Sequence, residues 1–280
     1  MSLNGILVVN KEAGYTSHDV VSKVKKILGE KVGHTGTLDP NATGVLPLLI
    51  GKGTGLAKYL INHDKIYIAT LKLGEKTDTA DIEGNVIEKQ EVKDISKERV
   101  EEALFSFIGK QEQLPPMYSA IKVNGKKLYE YARKGEKVEL KPREIEIYNI
   151  KLIKINDLEI IFEVSCSKGT YIRSLCEDIA GRLGTVGYMK ALNRTVVGQF
   201  DIESSVKVDD VDASKVIEVE EFLKDKEKIL LEPNKLELFL NGGRIKLNLA
   251  DDVYRVYNVD NDFIGSGIVK DGLLKRDIIL

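Results

Sequence analysis

Residues 33–47, GHTGTLDPNATGVLP, constrain the fold of this chain more strongly than its other segments do. The stretch holds three glycines, two prolines, a histidine and one carboxylate, so it forms neither a helix nor a regular strand. Glycine permits positive φ and close backbone approach, and Pro40 pushes Asp39 out of the α region. The apolar run 45–50 predicts a buried strand. We therefore expect a rigid loop, here called the signature loop, that presents Asp39. A simple Asp-Pro turn is the alternative.

Length and composition indicate an ordinary globular protein. The 280 residues predict one large domain or two smaller ones, and 42% of them are hydrophobic. The apolar runs fall far short of the roughly 20 residues that a membrane span needs. Residues 1–4 lead directly into a strand, which predicts no leader peptide and a cytoplasmic location.

The cysteine and histidine content argues against metal chemistry. Cys166 and Cys176 either pair or remain buried thiols, and the apolar helix stripe that carries Cys176 favours free thiols. The three histidines form no cluster with cysteine or carboxylate at ligand spacing, so we expect no metal site. Residues 51–55 do not fit the phosphate-loop pattern, and the carboxylates of 77–84 do not fit an EF-hand.

Charge is unevenly distributed along the chain. The net charge of −2 by itself does not favour nucleic-acid binding. Residues 122–143, here called the basic segment, nevertheless carry a local charge of +5, whereas 201–228 are rich in Asp and Glu. The basic residues are Lys122, Lys126, Lys127, Arg133, Lys134, Lys137, Lys141 and Arg143. This distribution is compatible with an RNA-binding face and also with an ordinary solvated surface.

Hydrophobic periodicity predicts mixed helices and strands. Ser17 is the expected N-cap of a helix with an apolar face, and Gly184 is expected to close the helix that begins at Ile172. The other predicted helices are 56–61, 97–108 and 128–134, and the predicted strands are 5–11, 45–50, 65–74, 144–154, 157–166 and 186–200. Residues 230–280 read as short strands with turns, so we expect domains 1–228 and 229–280, the second all-β.

Five separated blocks carry a family resemblance. They are Lys11 with residues 14–17, the signature loop, residues 65–67 with 73–74 and 77–79, residues 114–122, and residues 166–173. In this order they resemble the bacterial tRNA pseudouridine synthase B family over about residues 5–200. Glu12 departs from the pattern, because the family usually has proline there. The C-terminal part resembles the family's PUA-type RNA-binding module.

The resemblance implies a fold and a reaction. The fold is α+β, a mixed and mainly antiparallel sheet flanked by helices, followed by a small PUA-like domain. The implied reaction converts the T-loop uridine at tRNA position 55 to pseudouridine, without a cofactor. Asp39 is the implied nucleophile, attacking base or sugar, and Arg173 its partner. Tyr67 is expected to stack on the uracil and to take the C5 proton.

The resemblance also assigns contacts to the RNA. A flipped uridine leaves a gap, and His34 is the implied wedge. Tyr171 and Leu192 match positions that line the uracil pocket, and Lys11 and Lys122 are the expected RNA contacts. Simpler interpretations remain for several of these residues: core packing for Tyr67 and Leu192, a surface position for Arg173, and a loop hydrogen bond for His34.

Three functional hypotheses follow from the sequence. The first is a monomeric, cytoplasmic tRNA-modifying enzyme that binds the T-arm and needs no protein partner. The second is a T-loop-binding tRNA chaperone in which catalysis is secondary or absent. The third is a guide-RNA-dependent synthase like the dyskerin-type relatives, which carry longer extensions and partner proteins. The set of Asp39, Tyr67 and Arg173 favours an enzyme.

Overall fold

The computed structural model describes residues 2–93, 95–136 and 138–280, so Met1 and Lys137, which enter the predictions above, lie outside it. The described helices are α1 Ser17–Leu28, α2 Ala57–Leu60, α3 Lys97–Phe105, α4 Leu128–Ala132, α5 Ile172–Arg182, α6 Val219–Phe222 and α7 Pro233–Leu240. The described strands are β1 Gly5–Lys11, β2 Val32–His34, β3 Thr43–Ile50, β4 Lys65–Leu73, β5 Glu75–Thr77, β6 Val86–Lys89, β7 Gly109–Gln113, β8 Lys122–Val123, β9 Lys126–Lys127, β10 Arg143–Asn156, β11 Glu159–Cys166, β12 Gly187–Val197, β13 Phe200–Asp201, β14 Val206–Lys207, β15 Ile217–Glu218, β16 Lys228–Leu230, β17 Ile245–Lys246, β18 Asp252–Tyr257, β19 Phe263–Lys270 and β20 Leu273–Ile279.

One large sheet organises the first part of the chain. Across the described residues its main strands follow the order β14-β1-β3-β12-β4-β11-β10-β7, with β2, β13 and β15 paired at the sides. The pairings β1–β14 and β3–β12 are parallel and the others are antiparallel. The predicted mixed, mainly antiparallel sheet of an α+β fold is confirmed.

At strands β1 and β3, both faces of this sheet are buried. Strand β1 shows why its sequence is a continuous apolar run: Leu7 and Val9 join the core under the helices, whereas Ile6 and Val8 join a second core on the opposite face. A strand alternates its side chains between faces, so a run without polar residues must be covered on both sides. None of the described helices is long and apolar enough to cross a membrane.

The C-terminal part forms a second sheet with strand order β16-β18-β19-β20-β17 among the described residues. The predicted sheet-rich C-terminal part is confirmed, and the structure adds one short helix to it: α7 begins at Pro233 and buries Phe239 completely in the core of this sheet. Proline fits the first turn of a helix, where its missing N–H has no intrahelical acceptor. The turn-rich pattern of 230–280 concealed this one short helix.

The structure corrects two helix ends. The N-cap of α1 is Thr16 and not Ser17: the Asp19 amide donates to the Thr16 hydroxyl, and the Asp19 carboxylate accepts from the Thr16 amide. This reciprocal pair is a capping box, and it frees Ser17 for a contact described below. Helix α3 ends at Phe105, short of the predicted 108, and Ile108 is largely exposed.

Both cysteines are free thiols within the described chain, as expected. Cys166 ends β11 and Cys176 lies in the apolar stripe of α5, and both are fully buried. Burial raises the pKa of Cys166 to about 11. Both side chains therefore act as small apolar core residues.

Candidate active site

Lys11 links the signature loop to the segment that precedes helix α1. Its ammonium is completely buried and donates to the carbonyls of Glu12 at 3.0 Å, Tyr15 at 2.6 Å and Pro40 at 2.8 Å. Burial lowers the pKa of Lys11 to about 8. The expectation that Lys11 contacts RNA is corrected, because backbone carbonyls enclose its charge. Lys11 instead holds the backbone next to Asp39.

Ser17 anchors the same loop from helix α1. Its buried hydroxyl accepts from the Leu38 amide at 2.9 Å and donates to the Leu38 carbonyl at 3.2 Å. Both backbone groups of the residue before Asp39 are thus satisfied by one side chain. A loop residue held in this way has little freedom, so the first turn of α1 helps to position the Asp39 carboxylate.

The Asp39 carboxylate forms a two-point ion pair with Arg173 from the first turn of α5. Arg173 Nε lies 3.1 Å from Asp39 Oδ2, and Arg173 Nη2 donates to Asp39 Oδ1 at 3.2 Å. Arg173 is buried, so the interpretation as a surface arginine is wrong. A planar guanidinium meeting both carboxylate oxygens fixes the carboxylate in orientation as well as in charge.

A second carboxylate holds Arg173 from the other side. Asp81 Oδ2 lies 3.5 Å from Arg173 Nη1, and the carbonyls of Thr79 and Tyr118 accept from the same guanidinium at 3.3 and 2.8 Å. A cation in the first turn of a helix is disfavoured by the helix dipole. Two carboxylates and two carbonyls offset that cost here.

The surroundings of Asp39 act on its pKa in opposite directions. Burial raises the pKa of Asp39 above its ordinary value, and the charge of Asp81 adds to the rise. The guanidinium of Arg173 and the ammonium of Lys11 lower it. Burial is the largest of these effects, so Asp39 is a carboxylate in a low-dielectric place that Arg173 helps to keep ionised.

Asp39 faces a cavity of about 800 Å³ that also collects most of the other predicted site residues. Tyr67, Arg173, His34, Tyr171 and Leu192 all line this cavity. Tyr67 and Leu192 are each 8% exposed and pack in the main core, so each is both a core side chain and a wall of the cavity. Signature loop and sheet thus meet in one cleft.

Tyr171 and His34, two of the residues that line the cavity, have different hydrogen-bond environments. The backbone of Tyr171 is fixed by the buried amide of Gln113, through contacts of 2.8 and 3.1 Å. His34 ends β2, and its Nδ1 is buried without a hydrogen-bond partner in the described part of the chain. Burial, followed by the charge of Arg194, lowers the pKa of His34. His34 is therefore disposed to be a neutral ring.

Lys122 lies outside the cavity. It is exposed on β8, in a small hairpin with β9, and other lysines line the cavity itself. These are Lys65, Lys127 and Lys168. They were not predicted individually, since a lysine carries no local sequence signal that separates a cavity wall from an ordinary surface.

Sequence reasoning missed two further polar residues of the site. Asp81 was considered only as part of a calcium loop, although the matching block at 77–79 is a signal that points to this loop. Arg194 is 2% exposed, lines the cavity, and donates to the carbonyls of Gly36 and Val45 in the signature loop. Nothing in its local sequence indicates that role.

Comparison with known proteins identifies the class of enzyme. Residues 25–172 match the family described as "TruB family pseudouridylate synthase (N terminal domain)", and residues 173–236 match "tRNA pseudouridylate synthase B C-terminal domain". In solved structures, the fold resembles chains of a Cbf5-Nop10-Gar1 complex (24% identity, TM-score 0.68, 95% of this chain and 78% of that one) and of an H/ACA RNP bound to a substrate RNA (21%, 0.69, 99% and 85%). The fold and site are those of a pseudouridine synthase, an isomerase.

Curated relatives narrow the class to a family. The proteins named tRNA pseudouridine synthase B from Clostridium kluyveri and Alkaliphilus oremlandii are 45% and 44% identical, covering 96% of this chain and 96% and 94% of theirs. That of Clostridium novyi is 44% identical over 99% of this chain and all of its own. The chain belongs to the TruB family of pseudouridylate synthases.

Proposed function

We propose that this enzyme acts on tRNA and converts the T-loop uridine at position 55 to pseudouridine, with Asp39 as nucleophile. The observation that carries the proposal is the two-point Asp39–Arg173 pair in a cavity that Tyr67 also lines. The names of the relatives support tRNA as the substrate. A pre-oriented, partly desolvated carboxylate is suited to covalent attack.

The proposed reaction conserves all atoms. The N1–C1′ bond of uridine breaks, the uracil turns, and a C5–C1′ bond forms. The C5 proton then leaves, its electron pair restores the C5–C6 double bond, and N1 takes up a proton from solvent. Asp39 adds either to the base or to the sugar in this sequence, and Tyr67 stacks on the uracil and accepts the C5 proton.

Base flipping is part of the same proposal. A uridine in a folded loop has to leave its stack before Asp39 reaches it. The ring of His34, whose pKa is lowered by burial, is proposed to fill the gap, while Tyr171 and Leu192 enclose the flipped uracil. A desolvated imidazole supports the wedge role, because a charged ring would lose hydration on entering a base stack.

Phosphate contacts are proposed for the basic segment. Lys122 and Lys126 are exposed on its hairpin, and Lys127 lines the cavity itself. Residues 1–228 are proposed as the catalytic domain and 229–280 as an RNA-binding domain of PUA type. Support for this division comes from the second sheet, whose first strand begins at Lys228.

We also propose that the enzyme is a cytoplasmic monomer that needs no protein partner. Its length agrees with that of the curated relatives, of which it covers 94–100%.

Tritium release from tRNA transcribed with 5-tritiated uridine tests the proposal. The wild type should release one tritium per tRNA, and Asp39→Asn should lower the single-turnover rate by at least about 10³-fold while tRNA affinity changes less than about threefold. A transcript with cytidine at position 55 should release none. Binding without release by the wild type would support the T-loop chaperone instead. A large affinity loss in Asp39→Asn would mean that Asp39 shapes the loop.

A further inference from the structure

Arg194 is a buried cation for which no carboxylate partner is found. Its guanidinium makes no ion pair within residues 2–93, 95–136 and 138–280, although its side chain is almost fully buried. Two lysines, Lys11 and Lys65, lie near enough for the charge of Arg194 to lower their pKa. Burying a cation without a partner carboxylate is costly. Such a position calls for a reason beyond packing.

The hydrogen bonds of Arg194 join the two arms of the signature loop. Nε donates to the Val45 carbonyl at 2.8 Å, after Asp39, and Nη2 donates to the Gly36 carbonyl at 3.2 Å, before it. The close fit extends to the backbone: a Cβ added at Gly44 would lie 2.2 Å from the Arg194 carbonyl. One side chain therefore holds the loop closed on both sides of Asp39.

The same residue is the cross-strand partner of Tyr67. In the antiparallel β12–β4 pairing, Arg194 lies directly opposite Tyr67, and both side chains line the cavity. Directly opposed side chains on one sheet face have Cβ atoms about 5 Å apart, within reach of direct interaction. The geometry thus connects the nucleophile's loop with the residue proposed to accept the C5 proton.

We propose that Arg194 is a positioning residue for pseudouridine formation: it locks the signature loop and supplies the positive charge against which the Tyr67 hydroxyl ionises. This inference rests on the proposed role of Tyr67 in C5 deprotonation. A guanidinium has donors and no acceptor, so in any hydrogen bond between the two side chains Arg194 donates to the Tyr67 oxygen. Once the Tyr67 hydroxyl has lost its own proton to solvent, the phenolate oxygen takes the C5 proton and becomes a hydroxyl again.

The electrostatic surroundings of Tyr67 agree with this assignment. Burial raises the pKa of Tyr67, and Arg194 on β12 lowers it through its charge and as a hydrogen-bond donor. The other ionisable groups that affect it, Cys166 on β11 and Asp39 on the signature loop, raise it. Arg194 is thus the one group among these that favours the phenolate.

The test compares Arg194→Gln, which keeps polarity but loses the charge, with Arg194→Lys, which keeps the charge. The Tyr67 titration is followed in the free protein by NMR of tyrosine labelled with ¹³C at Cζ, with the signal assigned from Tyr67→Phe. Arg194→Gln should move this titration to higher pH. It should also slow single-turnover tritium release at neutral pH by about tenfold or more and shift the pH–rate profile to higher pH, with tRNA affinity within about threefold.

Arg194→Lys should keep the Tyr67 titration near that of the wild type, and it decides the question if the Gln variant does not fold. An unchanged titration in Arg194→Gln, a titration moved to higher pH in Arg194→Lys, or an equal rate loss at every pH would overturn the proposal and leave only a structural clamp. The titration needs no RNA. An inactive wild type would therefore refute the proposed function while the Tyr67 shift could still be measured.

Discussion

Arg173 is shared between two carboxylates with different exposure. The Asp39 side chain is 33% exposed toward the cavity, whereas that of Asp81 is 11% exposed. An interaction with Asp81 competes for the same guanidinium, and its negative charge acts on Asp39 directly. Asp81 therefore weakens the hold of Arg173 on Asp39, although its side chain is not among those lining the main cavity.

This balance predicts a pH effect of Asp81→Asn. The charge of Asp81 raises the pKa of Asp39, so its removal should lower that pKa. If the reaction needs ionised Asp39, the acid limb of the single-turnover pH–rate profile moves to lower pH, whatever the change in maximal rate. Asp78→Asn, in the same loop but exposed, is the control and should leave the limb in place. A limb that moves to higher pH in Asp81→Asn would contradict the assignment.

At the scale of elements, the first turn of α1 supports both the helix and the signature loop. Thr16 caps the helix, which leaves the Ser17 hydroxyl for the two backbone groups of Leu38. The helix and the residue before Asp39 are thereby one rigid unit. A change at Ser17 should affect stability and activity together, because the same hydrogen bonds serve both.

Ser17→Ala tests this coupling. It leaves the buried amide and carbonyl of Leu38 unsatisfied, so the free energy of unfolding should fall by about 1–3 kcal/mol, and tritium release should slow even where the variant is fully folded. Ser96→Ala is the matched control: it removes the N-cap of α3, away from the cavity, and should cost about 1 kcal/mol without slowing release. Urea denaturation and single-turnover assays report the two effects. Equal activity of the two variants would show that Ser17 does not position the loop.

The same elements show how far sequence reasoning extends. Periodicity located the continuous apolar strand β1 and the stripe of α5, because their patterns follow from burial on known faces. The position of Arg173 in the first turn of a helix suggested a buried carboxylate partner, and only the family resemblance identified that partner as Asp39. The capping of α1 was assigned one residue late, since Thr16 and Ser17 are equally good caps by chemistry. Arg194 could not be predicted, because it lies opposite Tyr67 only through the register of the two strands. The sequence of neither strand by itself determines that register.

At the scale of the molecule, the C-terminal sheet shares a core with the catalytic sheet. Ile278 of β20 is buried in the second core together with Leu56, and a Cβ at Gly55 would lie 2.9 Å from Ile278 Cγ1. The buried carboxylate of Asp277 accepts from Tyr59 at 2.5 Å and from Ser266 at 3.0 Å, and pairs with Lys58. A polar contact between α2 and the C-terminal sheet thus lies beside the apolar contact of Ile278.

Asp277→Ala should loosen this junction. Removing the carboxylate leaves Tyr59, Ser266 and Lys58 without this acceptor. The free energy of unfolding should therefore fall by about 2–4 kcal/mol. Asp252→Ala is the control, because that carboxylate lies in the same sheet but pairs with Lys226 at the surface, where an ion pair contributes about 0–1 kcal/mol. Urea denaturation measures both variants. A similar small loss in the two would mean that the apolar contacts alone hold the sheets together.

Because the molecule as a whole is slightly negative, RNA binding depends on where its positive charges lie. With a net charge of −2, the chain as a whole does not attract a polyanion, so affinity has to come from local cations, and Lys122 is proposed as one of them. Each phosphate contact adds about one to the slope of log K against log salt.

Lys122→Gln should therefore weaken tRNA binding and reduce that slope by about one. Lys224→Gln, at an exposed lysine paired with Glu221 at 2.8 Å, should leave it unchanged. A slope equal in both variants and the wild type would place the phosphate contacts elsewhere than at Lys122.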